Sequence, residues 1–160
     1  MRIYTSYFYQ IRFFPPNLVP LSTALWDPKW FHDNKSQSYQ FKDKRGVLNG
    51  LRAEIFNPEI HGNGQCRGPE MCIYTGDKRM CPFLLGYRIQ LNKLNFQNVI
   101  ERFQLLHDAI CAKEHLEDCD FALIVHEAPT NPCSERDPIQ QWFADNGQPI
   151  EEWYPLFQSL

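Results

Sequence analysis

Apolar residues recur along the chain with strand spacing in some segments and with helical spacing in others. Residues 3–8 are rich in strand formers, and so is a shorter segment at residues 18–22, in which Pro20 favours an edge position or an early place in the strand. Residues 121–125 form a continuous apolar run that is too short for a full helix. Such a run is typical of a strand buried on both faces of a parallel sheet. Residues 148–154 are expected to add a short edge strand.

Helical spacing precedes and follows this apolar run. Residues 83–94 are moderately helical in pattern, and Asn95 is expected to cap a longer helix. The apolar residues of that helix recur every three or four positions: Phe96, Val99, Ile100, Phe103, Leu106 and Ile110. A last helix is expected to have Pro138 in its first turn and to end near Gly147. Strands alternating with helices predict one α/β domain over residues 1–160, built on a small and mostly parallel sheet with helices on both faces.

Residues 30–80 carry little periodicity and are expected to form an irregular insertion. Trp26 lies just before them, and further aromatic and basic residues follow. Two interpretations stay open: a loop pinned to the core by its tryptophans, or a surface on which aromatic rings stack bases and basic side chains hold phosphates. A long loop without regular structure in a compact domain needs something to hold it.

Four potential metal ligands lie in the glycine-rich part of the insertion: His61, Cys66, Cys72 and Cys81. Thiolates and an imidazole are the ligands of tetrahedral zinc sites, and three thiolates with a fourth ligand from elsewhere could instead hold an iron–sulfur cluster. The spacings match no standard zinc finger, in which a closely spaced cysteine pair is usual. Zinc, an iron–sulfur cluster and unlinked cysteines therefore stay open as alternatives.

The composition narrows the class of protein. The chain has 160 residues, of which 43% are hydrophobic, as expected of a globular domain. Its formal net charge of −3 gives no overall basic field, so charge does not support a nucleic-acid partner, although a local basic patch is compatible with one. No secretory signal and no membrane-spanning apolar stretch is visible, which predicts a soluble, cytoplasmic protein without a membrane partner. In that compartment the 6 cysteines are expected to form no disulfide framework.

The polar residues after the apolar run are candidates for a functional site. His126 and Glu127 follow it directly, as a candidate general base or metal ligand and the acid that orients it or acts itself. Cys133 and Ser134 stand before the last helix, where a thiol close to Arg136 is expected to be a better nucleophile. Arg136 could hold a carboxylate or a phosphate with two hydrogen bonds, whereas Ser134 could simply cap the helix.

Ser6 and Tyr7 stand near the carboxyl end of the first predicted strand. Ligands of open α/β sheets bind beyond the carboxyl ends of parallel strands, where helix N-termini direct amide donors toward them. The sequence therefore predicts a small-molecule site at this edge. The candidate catalytic residues are Glu127, His126, Cys133 and Ser134, and the candidate ligand-binding residues are Ser6, Tyr7, Trp26 and Arg136.

Several motifs carry a resemblance to a known family. They are IYTSYF at residues 3–8, LVP at 18–20, ALIVHE at 122–127, CSER at 133–136 and WFADNG at 142–147. These motifs resemble the small bacterial or phage proteins of domain-of-unknown-function family 488. Glu127, Arg136 and Trp142 keep the spacing of that family, whereas Ser134 and Glu135 stand where it usually has cysteine and histidine. The resemblance implies a three-layer, Rossmann-like α/β fold and supplies no established activity.

Two functional hypotheses follow from the sequence. In the first, the carboxyl edge of the sheet binds a small anionic ligand or a nucleotide, and the reaction is hydrolysis or group transfer. In the second, the protein is not an enzyme, and a metal-stapled loop with exposed tryptophans binds a protein or a nucleic acid. Bound zinc or iron would favour the ordered loop of the second hypothesis.

Overall fold

The computed structural model describes residues 1–32, 51–59 and 81–155. The strands are β1 (Ile3–Tyr7), β2 (Leu18–Ser22), β3 (Leu51–Arg52), β4 (Asp120–Val125) and β5 (Glu151–Glu152). The helices are α1 (Lys29–His32), α2 (Pro82–Asn92), α3 (Phe96–Glu114) and α4 (Arg136–Asp145), with 3-10 turns η1 (Phe8–Phe13) and η2 (Glu54–Phe56). All five strands pair in parallel, in the order β3-β2-β4-β1-β5. The α/β class with a mostly parallel sheet is therefore confirmed.

β4 is the central strand of this sheet and pairs along its length with β1 on one side and β2 on the other. Its side chains alternate between two separate hydrophobic clusters. Phe121 and Leu123 belong to one cluster, and Ala122 and Ile124 belong to the other. Burial on both faces explains why the apolar run of β4 has no polar interruption.

The two clusters are built from different parts of the chain. The cluster around Phe121 includes Tyr87 of α2, Phe103 of α3 and Phe143 of α4. The cluster around Ile124 draws on the first 32 residues, through η1, the loop after it and α1. Helices α2, α3 and α4 therefore pack on one face of the sheet, and the carboxyl end of β4 emerges between two apolar layers.

β2 is not an edge strand, contrary to one of the two expectations drawn from Pro20. β3 lies outside it and pairs with its last two residues, Leu21 and Ser22. Pro20 precedes that pairing, so its missing N–H removes no hydrogen bond to β3. At the other end of the described sheet, β5 pairs with β1 alone, which confirms the short edge strand expected within residues 148–154.

The ends of the long helices follow local rules. Asn95 caps α3, because its side-chain oxygen accepts a hydrogen bond from the backbone N–H of Asn98 at 3.0 Å. α3 ends at His115, which adopts the left-handed conformation with φ of 56°. Gly147 follows α4 with φ of 82°, a conformation that glycine adopts without strain. The predicted cap of α3 and the predicted end of α4 are confirmed.

The expected insertion at residues 30–80 lies mostly outside the described residues. The organisation of the whole chain as one domain stays a prediction. Within the described ranges, no helix is both long enough and apolar enough to cross a membrane.

Candidate functional site

Arg136, the first residue of α4, is the centre of a buried polar cluster beyond the carboxyl ends of β1 and β4. Its side chain is only 5% exposed. Its Nε donates to Glu152 Oε1 at 2.8 Å, and its Nη2 donates to the backbone oxygen of Glu127 at 2.6 Å. The guanidinium also lies 5.8 Å from the ring centroid of Tyr7. These contacts hold the side chain across the gap between α4 and the sheet.

Glu152 is held in turn by residues of β1 and α4. Strand pairing places it beside Thr5, and the Thr5 hydroxyl donates to Glu152 Oε1 at 2.7 Å. Gln140 of α4 donates to the same hydroxyl at 2.6 Å. The Glu152 side chain is 8% exposed, so the ion pair with Arg136 is almost fully shielded from water. A buried pair of this kind needs such additional hydrogen bonds to offset the loss of hydration.

The same edge of the sheet concentrates buried polar atoms that lack a hydrogen-bond partner in the described structure. They are Ser6 Oγ, Gln10 Oε1, Glu127 Oε2, Arg136 Nη1 and Glu152 Oε2. Buried polar atoms are normally paired, and exceptions cluster where a ligand or an ordered solvent molecule completes the structure. Five such atoms near one edge therefore mark it as a candidate binding site.

Two carboxyl groups at this edge hold their protons more strongly than usual. Burial raises the pKa of Glu135 to about 7, and the nearby charge of Glu127 adds to the effect. Burial also raises the pKa of Glu127, although the neighbouring His126 and Arg136 oppose the shift. With a pKa of about 7, Glu135 exchanges its proton near neutral pH, which suits general acid–base chemistry.

Ser6 and Tyr7 lie on opposite faces of β1, because side chains alternate along a strand. Tyr7 is on the face of Thr5 and Arg136, and its hydroxyl accepts a hydrogen bond from Gln10 Nε2 at 3.2 Å. Ser6 is fully buried and pairs in register with Ile124. The two residues therefore approach the carboxyl edge from different sides of the sheet.

Two of the candidate catalytic residues have structural partners. His126 is exposed, its Nε2 lies 2.7 Å from the backbone oxygen of Trp26, and its ring lies 4.8 Å from that of Phe8. Ser134 is buried, and its hydroxyl accepts a hydrogen bond from the backbone N–H of Arg136 at 3.1 Å. Ser134 thus pairs one backbone N–H at the start of α4, although the N-cap residue of this helix is Glu135 rather than Ser134.

Cys133 is half-buried and unbridged, and its backbone N–H donates to Asn131 Oδ1 at 2.9 Å. Trp26 is 72% exposed, so its ring is accessible to a partner. The neighbouring basic residues that could hold phosphates, Lys42, Lys44 and Arg45, lie outside the described residues. Base stacking at Trp26 stays a prediction.

A second buried ion pair, which the sequence did not indicate, lies at the carboxyl ends of β2 and β3. Asp27 has a side chain that is 1% exposed, and Arg52 Nη1 donates to its Oδ2 at 2.5 Å. Ser22 donates to the other carboxylate oxygen, and Arg52 Nη2 donates to the backbone oxygen of Ala24 at 2.8 Å. These contacts tie β3 and the loop after β2 to the sheet, beside the exposed Trp26.

A group of sulfur and nitrogen donors lies at the amino end of β4, opposite the carboxyl edge of the sheet. His107 and Cys111 stand one turn apart on α3, and Cys119 directly precedes β4. The Sγ of Cys111 lies 3.7 Å from that of Cys119 and 3.6 Å from His107 Nε2. This group could hold a metal ion, because all its donor atoms lie within 4.8 Å of one another.

This cluster was not predicted from the sequence, in which no functional role was expected for His107. Its side chain is in fact only 14% exposed. Hydrogen bonding to Asp108 and then to Asp118 raises the pKa of His107. Burial and the hydrogen bond with Cys111 raise the pKa of Cys119 to about 12. The available signal was a histidine and a cysteine four positions apart on an amphipathic helix, followed by a cysteine at the start of a buried strand.

The predicted metal loop cannot be compared with this cluster, since His61, Cys66 and Cys72 lie outside the described residues. Cys81 is half-buried and unbridged, and it occupies the N-cap position of α2. The other described cysteines, Cys111, Cys119 and Cys133, are also unbridged.

A mostly apolar cavity of about 220 Å³ borders the Asp27–Arg52 ion pair, because Arg52 is one of its lining residues. It is bounded by β2, β3, η2 and α3, and the residues that line it are Leu21, Arg52, Ala53, Glu54, Ile55, Phe56, Val99, Arg102, Phe103 and Leu106. None of the candidate catalytic residues lines it.

Comparison with known protein families gives no match, and comparisons with curated proteins and with solved structures give none either. The resemblance to domain-of-unknown-function family 488 therefore stays a prediction. Any functional argument for this chain has to be made from its own residues.

Proposed function

We propose that the carboxyl edge of the sheet binds a small ligand with an anionic group and catalyses its hydrolysis or a group transfer. The observation that carries this proposal is the buried, unpaired Nη1 of Arg136 beside two carboxyl groups with raised pKa values, Glu127 and Glu135. Both hydrogens of that nitrogen are available to an oxygen of the ligand.

The charge of the edge is compatible with an anionic group. Glu127, Glu135 and Glu152 would together outweigh Arg136 if all three were ionised. Because burial raises the pKa of Glu127 and Glu135, one of these two can stay protonated near neutral pH and donate to a ligand oxygen. Phosphate esters and nucleotides offer such oxygens together with a leaving group.

The two carboxyl groups supply the proton transfers that hydrolysis needs. An ionised Glu127 would take a proton from the attacking water, and a protonated Glu135 would give a proton to the leaving oxygen. Water then forms the new bond to the transferred group as the bond to the leaving oxygen breaks. Group transfer follows the same scheme with an acceptor hydroxyl in place of water.

The proposal is tested with Glu127→Gln rather than with an Arg136 variant, because Arg136 holds the fold through its ion pair. Wild-type protein is incubated with p-nitrophenyl phosphate and with nucleoside mono-, di- and triphosphates, and both product release and binding are measured. We expect turnover of at least one compound and a loss of about 10²- to 10⁴-fold in kcat in Glu127→Gln.

Glu151→Gln is the matched control, because Glu151 is an exposed glutamate on the strand that carries Glu152. It should leave kcat and binding unchanged. The proposal would be wrong if folded wild-type protein neither bound nor turned over any compound in the panel.

A non-enzymatic module that binds a protein or a nucleic acid is the second candidate. The exposed ring of Trp26 favours it. Titration with a single-stranded oligonucleotide should quench tryptophan fluorescence and should lose about 1–3 kcal/mol of binding free energy in Trp26→Ala. An oligonucleotide that binds equally well to Trp26→Ala would exclude stacking on this ring.

A further inference from the structure

The amino end of β4 carries donor atoms whose spacing fits a single tetrahedral ion. With zinc–sulfur distances of about 2.3 Å and zinc–nitrogen distances of about 2.0–2.1 Å, two sulfurs of one site lie about 3.8 Å apart and a sulfur and a nitrogen about 3.6 Å apart. The corresponding distances here are 3.7 Å between Cys111 Sγ and Cys119 Sγ and 3.6 Å between Cys111 Sγ and His107 Nε2. Two edges of the tetrahedron are therefore already formed.

The imidazole of His107 is oriented for metal binding. Its Nδ1 lies 2.9 Å from Asp108 Oδ1, and its Nε2 faces Cys111. With a proton on Nδ1, donated to Asp108, the lone pair of Nε2, which lies 3.6 Å from Cys111 Sγ, is available to a metal ion. Histidine ligands of metals commonly have a carboxylate on the far nitrogen, which fixes both the tautomer and the ring plane.

Asp118 offers a fourth donor beside His107. Its Oδ1 lies 2.6 Å from His107 Nε2 and 3.6 Å from the amino group of Met1. The Asp118 side chain is 57% exposed, so it can turn by the small amount that shared coordination with His107 requires. The turn after α3, in which the Leu116 N–H donates to the Cys111 oxygen at 3.0 Å, brings Asp118 and Cys119 back beside the helix.

We propose that His107, Cys111, Cys119 and Asp118 bind one Zn²⁺ ion that joins the end of α3 to the start of β4. Two thiolates and an imidazole in tetrahedral spacing, with a carboxylate beside the imidazole, suit zinc, whereas calcium and magnesium need more oxygen ligands and iron–sulfur clusters usually need more thiolates. The site is independent of the proposed function, which lies at the opposite end of β4. Its role is structural, because the protein supplies all four ligands.

The test uses full-length protein that is purified with a reducing agent, stripped with a chelator and titrated with ZnSO₄. Zinc is counted by elemental analysis after removal of the free metal, and affinity is measured by competition with a chromogenic chelator. We expect Cys111→Ser and His107→Ala each to bind one zinc fewer per chain than the wild type. Asp108→Asn should keep that zinc at saturation but bind it about 10- to 100-fold more weakly, because it removes only the charge of the carboxylate that orients the ligand.

Cys133→Ser is the matched control, because it removes an unbridged, half-buried cysteine away from this cluster. Cobalt substitution gives a second readout: the thiolate-to-cobalt absorption of the site should be lost in Cys111→Ser and stay unchanged in Cys133→Ser. Equal zinc in the wild type, Cys111→Ser and His107→Ala would overturn the proposal. A Cys111–Cys119 disulfide in protein kept under the reducing agent, detected by mass spectrometry, would overturn it as well.

Discussion

The two ends of β4 hold polar groups of different kinds. At the carboxyl end, Arg136 and Glu152 form a buried ion pair that backbone and hydroxyl groups support. At the amino end, Cys111 and Cys119 offer sulfur atoms that are weakly polar when protonated. A buried charge is costly unless it is paired, whereas a buried thiol is tolerated like a small apolar group. The stability of the fold therefore depends on the paired charges at the carboxyl end of β4. At the amino end, the buried thiols lie close together with little loss of stability.

Removal of Arg136 is the strongest test of this difference between the two ends of β4. Arg136→Met leaves Glu152 buried without its partner, so we expect the free energy of unfolding to fall by about 3–5 kcal/mol. Cys111→Ala in metal-free protein should cost about 1 kcal/mol, because it removes a half-buried thiol and no charge. Urea denaturation of both variants measures the difference. Similar losses in the two variants would contradict the contrast between the two ends.

The double variant Arg136→Met with Glu152→Gln refines this result. If the loss in Arg136→Met comes from the stranded carboxylate, the double variant should recover part of it. Additive losses from the two single changes would show that the pair contributes through packing rather than charge.

The stability of the protein should depend on pH through Glu135, at the carboxyl end of β4. The pKa of Glu135 in the folded protein is about 7, above its ordinary value of 4.5, so the folded state holds this proton more tightly than the unfolded state does. The protonated Glu135 therefore adds to the free energy of unfolding. This added stability is fully present below about pH 4.5, is lost as the pH rises to about 7, and changes little above that. We expect Glu135→Gln to reduce this decline by a few kcal/mol in urea denaturation across that range.

Glu151→Gln serves as the control for the pH series, because its carboxyl is exposed. Its stability profile should match that of the wild type. A wild-type decline that persists unchanged in Glu135→Gln would assign the effect to another group, of which Glu127 is the nearest candidate.

The sequence was most informative where local rules decide the structure. The apolar run of β4 and the helical period of α3 predicted both elements, because a strand buried on two faces and a helix buried on one have distinct patterns. Asn95 and Gly147 marked helix ends through side-chain capping and backbone conformation, which are also local effects. The position of β2 inside the sheet was beyond such rules, because it depends on pairing with β3 about thirty residues later in the chain.

The candidate sites could be predicted only in part, for the same reason. Arg136 and Glu127 were identified from their place after a buried strand, but the partner of Arg136 is Glu152, which the register of β5 brings beside Thr5. Likewise, His107 and Cys111 become a possible site only when the turn after α3 returns Cys119 to them. Side chains that meet through strand order or helix packing leave no fixed spacing in the sequence.

Thr5→Val tests how far the carboxyl end depends on its supporting hydrogen bonds. The Thr5 hydroxyl accepts from Gln140 and donates to Glu152, and valine keeps the shape without either bond. We expect a loss of about 1–3 kcal/mol in the free energy of unfolding, because Gln140 and Glu152 each lose a partner in a buried setting. Ser6→Ala is the control from the same strand, since the Ser6 hydroxyl has no partner among the described residues. It should change stability by less than about 0.5 kcal/mol, and a larger loss there would mean that Ser6 has a partner of its own.

The smallest expected change in the free energy of unfolding lies near the amino end of β4. It comes from the backbone conformation of His115 rather than from a charge. His115 ends α3 in the left-handed conformation with φ of 56°, which crowds its Cβ against the chain, and its side chain is exposed. His115→Gly should therefore raise the free energy of unfolding by about 0.5–1 kcal/mol, because glycine adopts this conformation without the steric cost. His115→Ala keeps the Cβ and should give no such gain, so thermal unfolding of the two variants separates backbone strain from loss of the imidazole. If both variants were equally stabilised, the imidazole would be the source of the cost. If neither gained, the turn that carries Asp118 and Cys119 to the helix would be free of strain, and the amino end would hold its donors together at no cost to the backbone.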